Sequence, residues 1–333
     1  MKGHRNYDRM LGTLYGVAVG DALGGPVEFM SRKDILTAYD GKEIRDMMGG
    51  GWLALKPGET TDDTAMTVCV MKGIMEQPEL PVGAIGRHFI EWLHTGPKDV
   101  GNTCALAIRT AERLLKDAPK GDNDPVSAHV TWLKAANETC MKLTGRAGGN
   151  GALMRVAPVG VAYTAGTNVD GMAGSVSEMT HADHLSSIIC MAYCTAISAY
   201  VFGIDNVGDA FLERIAERYE FPSPDDDRQQ PPKPTGWVKD SMECAYYAFR
   251  ATKDFEDAVV MAVNMGGDAD TIGAITGGLA GARYGFDAIP RRWIDELYDK
   301  SLHDTIHDFV EFVLDGKVDD AYKEWMEHGF SET

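Results

Sequence analysis

Apolar residues recur at helical spacing through most of this chain. Ile85, Phe89 and Leu93 are four residues apart, and Ala105 and Ile108 begin a similar series. Residues at this spacing lie on one face of an α-helix, where they can pack against a core. Alternating runs of Val, Ile and Thr bounded by turns, which are typical of strands, are scarce. The pattern therefore predicts an all-α protein of roughly a dozen or more helices.

Two stretches are apolar on nearly every face. Residues 187–201 and 257–263 carry little charge, which predicts helices at the centre of a large bundle. Residues 11–20 resemble the apolar part of a signal peptide, but Asp21 follows at once, and we predict a first buried helix there. No uninterrupted apolar run approaches the roughly 18 residues that a membrane helix requires, so we predict no membrane span.

Other segments predict loops. Residues 39–55 contain three consecutive glycines, and residues 221–236 are rich in proline and acidic residues. The stretch near residues 117–145, which begins with polar residues, also reads as a long loop. Loops of this length in a compact domain are usually lids or connectors. No shift in composition marks a boundary, so we predict a single compact domain over residues 1–333.

Composition narrows the class of partner. Hydrophobic residues make up 44% of the 333 residues, which is ample for a core. The formal net charge of −18 argues against nucleic acid or an anionic membrane as a partner. The six cysteines include no Cys-x-x-Cys pair, which predicts buried free thiols in a reducing compartment. We therefore expect a cytoplasmic protein that does not bind nucleic acid.

Two short acidic clusters carry the clearest chemistry. Each places two aspartates and a threonine in glycine-rich or apolar sequence, and together they contribute Thr61, Asp62, Asp63, Asp268, Asp270 and Thr271. If the fold brings them together, carboxylates about 4 Å apart repel by roughly 4 kcal/mol at an effective dielectric near 20, so a cation must balance them. All-oxygen ligands favour Mg²⁺ or Mn²⁺, and the number of carboxylates suits two ions better than one. The alternative is that both clusters are helix N-caps, for which Asp and Thr are ordinary residues.

Several other motifs leave two interpretations open. Residues 99–103 and 148–151 are Gly/Asn loops before apolar stretches, and are either ordinary turns or phosphate-binding helix starts. Arg155 is a lone charge in apolar sequence, suited to structural pairing or to ligand contact. His181, Asp183 and His184 favour capping or substrate hydrogen bonding over metal binding. Taken alone, Glu28 reads as a solvated surface acid, and Trp237 as either a core residue or an exposed stacking residue.

Taken together, these motifs resemble the ADP-ribosylglycohydrolase family. The similarity extends from about residue 7 to 300 and is carried by Gly20-Asp21-Ala22-Leu23-Gly24 with Glu28, Thr61-Asp62-Asp63-Thr64, Gly149-Asn150-Gly151-Ala152-Leu153-Met154-Arg155, Thr180-His181 and Gly266-Gly267-Asp268-Ala269-Asp270-Thr271. Two further stretches resemble the branch of the dinitrogenase reductase activating glycohydrolases: Gly49-Gly50-Gly51-Trp52 through Lys56-Pro57-Gly58, and Asp99-Val100-Gly101-Asn102-Thr103-Cys104.

The resemblance implies an all-α fold around a central cleft with a binuclear Mg²⁺ or Mn²⁺ centre, held by the six residues of the acidic clusters. Asp99 matches the general base proposed in that branch, and Glu28 matches the acid emphasised in other branches. The residues implied to bind ADP-ribose are Gly101, Asn102, Thr103, Asn150, Gly151, Met154, Arg155 and His181, with Trp237 in the place of an aromatic that stacks on adenine.

The implied activity is removal of ADP-ribose from an arginine of a modified protein, with dinitrogenase reductase as the specific candidate and ADP-ribose as the product. The alternatives are hydrolysis of other ADP-ribosyl linkages or of small-molecule conjugates, and a non-catalytic ADP-ribose-binding relative. A third alternative is phosphoryl transfer, because Asp268-Ala269-Asp270-Thr271 after an apolar run resembles an aspartyl-phosphate motif. That motif normally follows a strand of an α/β fold.

Overall fold

Two glycine-rich helices from distant parts of the chain pack together in the protein. In this computed structural model, which describes residues 6–117, 124–226 and 230–328, they are α1 (Tyr7–Gly24) and α13 (Ala269–Tyr284). A Cβ atom added at Gly20 would lie 2.0 Å from the carbonyl oxygen of Gly273, so only glycine permits this approach. The contact fixes the start of α13 beside the C-terminal half of α1.

The fold is all-α, as predicted. No strand occurs in the described ranges, where only isolated β-bridges such as Gly149 with Trp237 are found. Between α1 and α13 lie α2 (Arg32–Ala38), α3 (Asp62–Glu76), α4 (Val82–His94), α5 (Asn102–Asp117), α6 (Pro125–Lys142), α7 (Ala157–Ala162), α8 (Val169–Glu178), α9 (His184–Val201), α10 (Asp205–Arg218), α11 (Val238–Ala251) and α12 (Phe255–Val263). The described chain ends with α14 (Arg291–Glu296), α15 (Ser301–Leu314) and α16 (Lys317–His328).

One large apolar core extends from Met10 in α1 to Val318 in α16. Helix α9 lies in this core against α7, α8 and α10, which confirms the prediction of a central helix over residues 187–201. By length and composition α9 could cross a membrane, but 67% of its apolar window is buried inside the protein. Five of the six cysteines are buried and all are free thiols.

The prediction of a long loop near residues 117–145 is wrong over most of its length. Residues 118–123 lie outside the described residues, but α6 occupies Pro125–Lys142. The side chain of Asp124 accepts hydrogen bonds from Val126 N and Ser127 N, and Pro125 follows at the first helical position, so the polar start is a helix cap. Trp132 and its buried neighbours then pack the helix against α4 and α5. The described parts of residues 39–55 and 221–236 contain no helix, in agreement with the prediction.

Three helices begin beside the predicted motifs. Helix α3 starts at Asp62, α5 at Asn102 and α13 at Ala269. The apolar run before Asp268 is helix α12 and not a strand, so the fold excludes the aspartyl-phosphate interpretation. The starts of α3 and α13 meet at one point, where the acidic clusters lie.

Candidate metal centre and substrate cleft

The two acidic clusters come together although they are far apart in the sequence. The hydroxyl oxygen of Thr61 lies 3.4 Å from Oδ2 of Asp63 and 3.4 Å from Oδ2 of Asp270, which is 209 residues away. The hydroxyl of Thr271 donates to Asp63 Oδ2 at 3.2 Å. The fold therefore brings the two clusters together, which is the condition for a joint site.

Glu28 joins this group. Glu28, Asp268 and Asp270 each offer a carboxylate oxygen, and these oxygens all lie within 4.8 Å of one another. Glu28 is only 7% exposed, so the interpretation of this residue as a solvated surface acid is wrong. The short 3₁₀ turn Gly25–Val27 at the end of α1 places it over the start of α13.

The buried carboxylates are poorly stabilised by the protein alone. Burial raises the pKa of Glu28 to about 8, against a hydrogen bond from Trp52 that lowers it. Burial and the charge of Asp99 raise the pKa of Asp62 to about 7. Burial also raises the pKa of Asp63 and of Asp270 well above the ordinary value, with neighbouring aspartates adding to the effect. Within the described ranges no Lys or Arg forms an ion pair with any of these carboxylates.

The residues present fit a divalent cation. Oδ1 of Asp63 is buried and has no hydrogen-bond partner among the described residues, which is unusual for a carboxylate. Thr61 and Asp268 occupy the N-cap positions of α3 and α13, yet neither makes a side-chain capping hydrogen bond. Their oxygens are therefore not used as the N-cap interpretation requires. An all-oxygen donor set of this kind suits a hard ion.

A fifth aspartate, for which the sequence predicts no role, supports the centre from behind. Asp21 in α1 is fully buried. Its carboxylate accepts hydrogen bonds from the backbone N and hydroxyl of Thr61, at 3.0 and 2.9 Å, and from those of Thr64, at 3.1 and 2.5 Å. Asp21 thus supplies from another helix the cap that Thr61 does not give to α3. Burial raises the pKa of Asp21 to about 6, while these four hydrogen bonds lower it.

A cavity of about 390 Å³ opens beside the acidic group. This volume falls in the range of roughly 300–1,000 Å³ that small-molecule sites occupy. Asp99 lies half-buried on its wall, and burial raises the pKa of this carboxyl above its ordinary value. The predicted ligand-binding residues that line the cavity are Gly101, Asn102, Thr103, Asn150, Gly151, Met154 and His181.

Comparison with known proteins shows the family to which the chain belongs. The model of the ADP-ribosylglycohydrolase family matches residues 2–326. The chain belongs to the ADP-ribosylglycohydrolase family. It is 34% identical over 321 residues to the ADP-ribosyl-dinitrogen reductase glycohydrolase of Rhodospirillum rubrum, with 94% of this chain and 98% of that protein covered.

Two further similarities agree with the family. The ADP-ribosylarginine hydrolase Tri1 of Serratia proteamaculans is 30% identical over 313 residues, covering 87% of this chain and 75% of that protein. A solved structure of an ADP-ribosylglycohydrolase-related protein complex superimposes with a TM-score of 0.69 at 27% identity, covering 95% of this chain and 98% of its counterpart. Each of these matches covers at least 87% of this chain, so the assignment of the fold and the family does not depend on one short segment.

Some cleft residues hold the acidic group in place. The side-chain amide of Asn150 donates to Asp268 Oδ2 at 2.7 Å and to Ser241 Oγ at 2.9 Å. The backbone N of Gly101 donates to Asp62 Oδ2 at 3.1 Å. Both residues therefore position carboxylates as well as lining the cavity.

Arg155 does not line the cleft, which corrects the expectation from the sequence. It is fully buried behind the wall, where it donates to Gly151 O at 2.7 Å and to Thr180 Oγ1 at 2.8 Å. Its guanidinium also lies 4.9 Å from the ring centre of Phe89. Of the two interpretations left open for Arg155, structural pairing is the one that the contacts support.

His181 and Trp237 border the cavity in different ways. His181 is buried, and Nδ1 lies 2.7 Å from Thr180 Oγ1. Burial, with the charge of Arg155, lowers the pKa of His181 to about 3, so the ring is neutral at physiological pH. Trp237 is 46% exposed and follows Gly236 on the cavity wall, so it is not a core residue. Asp183 caps α9 by accepting from Ser186 N at 2.8 Å, which confirms the capping prediction for that cluster.

Two aromatic residues at the cavity had no assigned role in the sequence analysis. Trp52 donates its indole N–H to Glu28 Oε2 at 2.7 Å, and Phe29 lies beside it. Their only sequence signals are the Gly49-Gly50-Gly51 run before Trp52 and the position of Phe29 directly after Glu28.

Proposed function

We propose that this protein is a metal-dependent hydrolase that removes ADP-ribose from an arginine side chain of a modified protein. The observation that carries the proposal is the convergence of buried carboxylates beside a cavity of suitable size, where Asp63 Oδ1 has no hydrogen-bond partner among the described residues. The relatives named for arginine-linked and dinitrogen reductase-linked ADP-ribose support the choice of linkage. Dinitrogenase reductase is the specific candidate target.

We assign two divalent ions, Mg²⁺ or Mn²⁺, to Thr61, Asp62, Asp63, Asp268, Asp270 and Thr271. When bound, such ions would supply positive charge that balances the carboxylates. They would also supply Lewis acidity, which makes water a better nucleophile near neutral pH. The oxygens of Asp63 and Asp270 and the hydroxyls of Thr61 and Thr271 already face one another. Glu28 borders the same group and is the second candidate, after Asp99, for the proton acceptor.

The walls of the cavity suit the rest of the substrate. Helix α5 begins at Asn102, and the first N–H groups of a helix lack acceptors within the helix, so Asn102 and Thr103 can bind phosphate without a lysine. Neutral His181 offers a hydrogen bond without adding charge. Exposed Trp237 offers a face for adenine.

Asp99 is the proton acceptor in this proposal. It is half-buried on the cavity wall, and its raised pKa brings it closer to the value that suits a general base at neutral pH. Water attacks the anomeric carbon of the distal ribose while the carbon–nitrogen bond to the guanidine breaks. Asp99 takes the proton of the water and then donates it to the leaving guanidine, which becomes cationic.

The test is release of ADP-ribose from an arginine-ADP-ribosylated protein with Mn²⁺, with Mg²⁺ and with EDTA. We expect release that requires the metal and is abolished by Asp268→Asn, while Asp308→Asn on the exposed face of α15 serves as the matched control and retains activity. A serine-linked substrate is assayed in parallel. Release from serine alone would reject the arginine linkage, and binding of ADP-ribose without release from either would support a non-catalytic relative.

A further inference from the structure

An aromatic pair stands at the mouth of the cavity. Phe29 is 69% exposed and Trp52 is 54% exposed, and their ring centres are 5.6 Å apart with the planes inclined by 37°. Both line the cavity beside Glu28 and Asp99. Large aromatic side chains are usually buried in a core. Two of them exposed together at the mouth of a cavity indicate a binding role.

The backbone holds Phe29 in this position against its own preference. Its φ of 64° lies in the left-handed region, which is unfavourable for a bulky residue. Phe29 N donates to Gly267 O at 2.6 Å, and Gly267 N donates to Met30 O at 2.7 Å. These two hydrogen bonds fix the turn to the residue that precedes Asp268. A strained aromatic held at a functional site is an observation from which a function can be inferred.

Trp52 is fixed by equally specific contacts. It follows three glycines that all have positive φ, and a Cβ atom on Gly51 would lie 2.8 Å from Pro26 O. Its indole N–H is satisfied by Glu28 Oε2 at 2.7 Å. The faces of the two rings are therefore presented beside carboxylates rather than packed into the core.

The surroundings of the pair select the chemical class of its ligand. A planar cation is attracted by the aromatic faces and by the carboxylate of Asp99, which lines the same cavity and is not among the proposed metal ligands. Within the described residues no Lys or Arg lies over either ring, although Lys56 lies over Tyr298 and Lys239 over Trp237. No Lys or Arg of the described residues therefore competes for the faces of this pair.

We infer that Phe29 and Trp52 form the binding site for the arginine side chain of the modified target, which they contact through its guanidinium and the adjoining methylene groups. The inference rests on the proposed arginine hydrolase activity and adds the residues that recognise the leaving group. The bond to be broken lies between the ribose at the acidic group and this guanidine, so the leaving group must lie next to the carboxylates.

The test compares Phe29→Ala, Trp52→Ala and Trp52→Phe with Met141→Ala, which removes another exposed apolar side chain, on α6. For each, KM and kcat are measured with an ADP-ribosylarginine peptide, and the Kd of ADP-ribose is measured by calorimetry. We expect KM to rise about fivefold to thirtyfold in the two alanine variants, as loss of a cation–π contact predicts. Trp52→Phe should keep KM within about threefold of the wild type because it keeps a ring.

Two results would overturn the inference. A parallel loss of ADP-ribose affinity would assign the pair to the nucleotide. A lower kcat with unchanged KM in both Trp52 variants would mean that Trp52 acts only through Glu28.

A separate arm distinguishes this inference from the proposed function. Agmatine, a small guanidinium compound, is titrated into the wild type and Trp52→Ala, and its binding is followed by the NMR signals of agmatine itself. Binding that Trp52→Ala abolishes would support the guanidinium site even if the wild type fails to cleave arginine-linked ADP-ribose. No agmatine binding to the wild type would reject it.

Discussion

The buried carboxylate of Asp21 should control metal binding although it does not face the cavity. A hydroxyl has one proton, and for Thr61 the nearest acceptor is Asp21 Oδ1 at 2.9 Å, against 3.4 Å to Asp63 and to Asp270. The proton therefore points to Asp21 and the lone pairs of Thr61 face the acidic group. That is the orientation that a metal-ligating hydroxyl requires.

Asp21→Asn keeps the volume of the side chain but removes one acceptor. If the amide nitrogen replaces Oδ2, Thr64 N faces a second donor and loses its partner, at a cost of about 1–3 kcal/mol. If the nitrogen replaces Oδ1, the hydroxyl of Thr61 must turn its proton toward Asp63 and Asp270. The first orientation weakens the support of the start of α3, which carries Asp62 and Asp63, and the second turns a proposed ligand away. We expect metal affinity to fall about tenfold to a hundredfold, equivalent to about 1.4–2.8 kcal/mol.

The assay is titration of the metal-free protein with Mn²⁺, with free Mn²⁺ followed by electron paramagnetic resonance and folding followed by circular dichroism. Thr64→Val is the matched control, since it removes one donor to Asp21 and leaves Thr61 oriented. It should change the Kd by less than about threefold. Wild-type Mn²⁺ affinity in a folded Asp21→Asn variant would refute the reasoning.

Three further predictions concern other parts of the molecule. Gly20→Ala should lower the free energy of unfolding, measured by denaturant titration, by about 3 kcal/mol or more, because its Cβ would lie 2.0 Å from Gly273 O. Gly166→Ala is the control: its nearest contact would be at 3.5 Å, so the same titration should show a loss of less than about 1 kcal/mol. Asp99→Asn should reduce kcat at least about a hundredfold with unchanged Mn²⁺ affinity, and an unchanged kcat would move the base role to Glu28. Because the pKa of His181 is lowered to about 3 in the folded state, its contribution to stability is present above its unfolded pKa near 6.5 and is lost as the pH falls toward 3. The wild type should therefore lose about 2 kcal/mol more than His181→Gln between pH 7 and pH 5, and equal losses in denaturant titrations would contradict the assignment.

Much of the centre was predictable because its proposed ligands are neighbours in the sequence. Two aspartates with a threonine, repeated in glycine-rich sequence, indicate a cation wherever the clusters meet. The helical class followed from spacing alone. Asp21 carried no comparable signal, since it is a single acid in an apolar helix, and it was singled out only as part of the Gly20-Asp21-Ala22-Leu23-Gly24 motif of the family resemblance.

The residues that were misjudged depend on tertiary contacts. Arg155 lies next to cleft residues in sequence, but its side chain turns to Gly151 O and Thr180 Oγ1 behind the wall. Glu28 is buried because the turn at the end of α1 folds it over α13 and Trp52 covers it. Helix α6 within residues 117–145 was not predicted because an Asp-Pro pair is equally typical of a turn and of a helix start.

The contact between α1 and α13 also determines when the centre can form. Asp21 and Asp62 are synthesised early, but the helix that places Asp270 beside them comes more than two hundred residues later. A growing chain thus carries its first acidic cluster through most of translation without the partner that completes it. Formation of so distant a contact is slow, since a large loop must close before it is stabilised. Metal capture is therefore expected as a late step of folding, and a chain that stops before α13 should neither retain the ions nor release ADP-ribose.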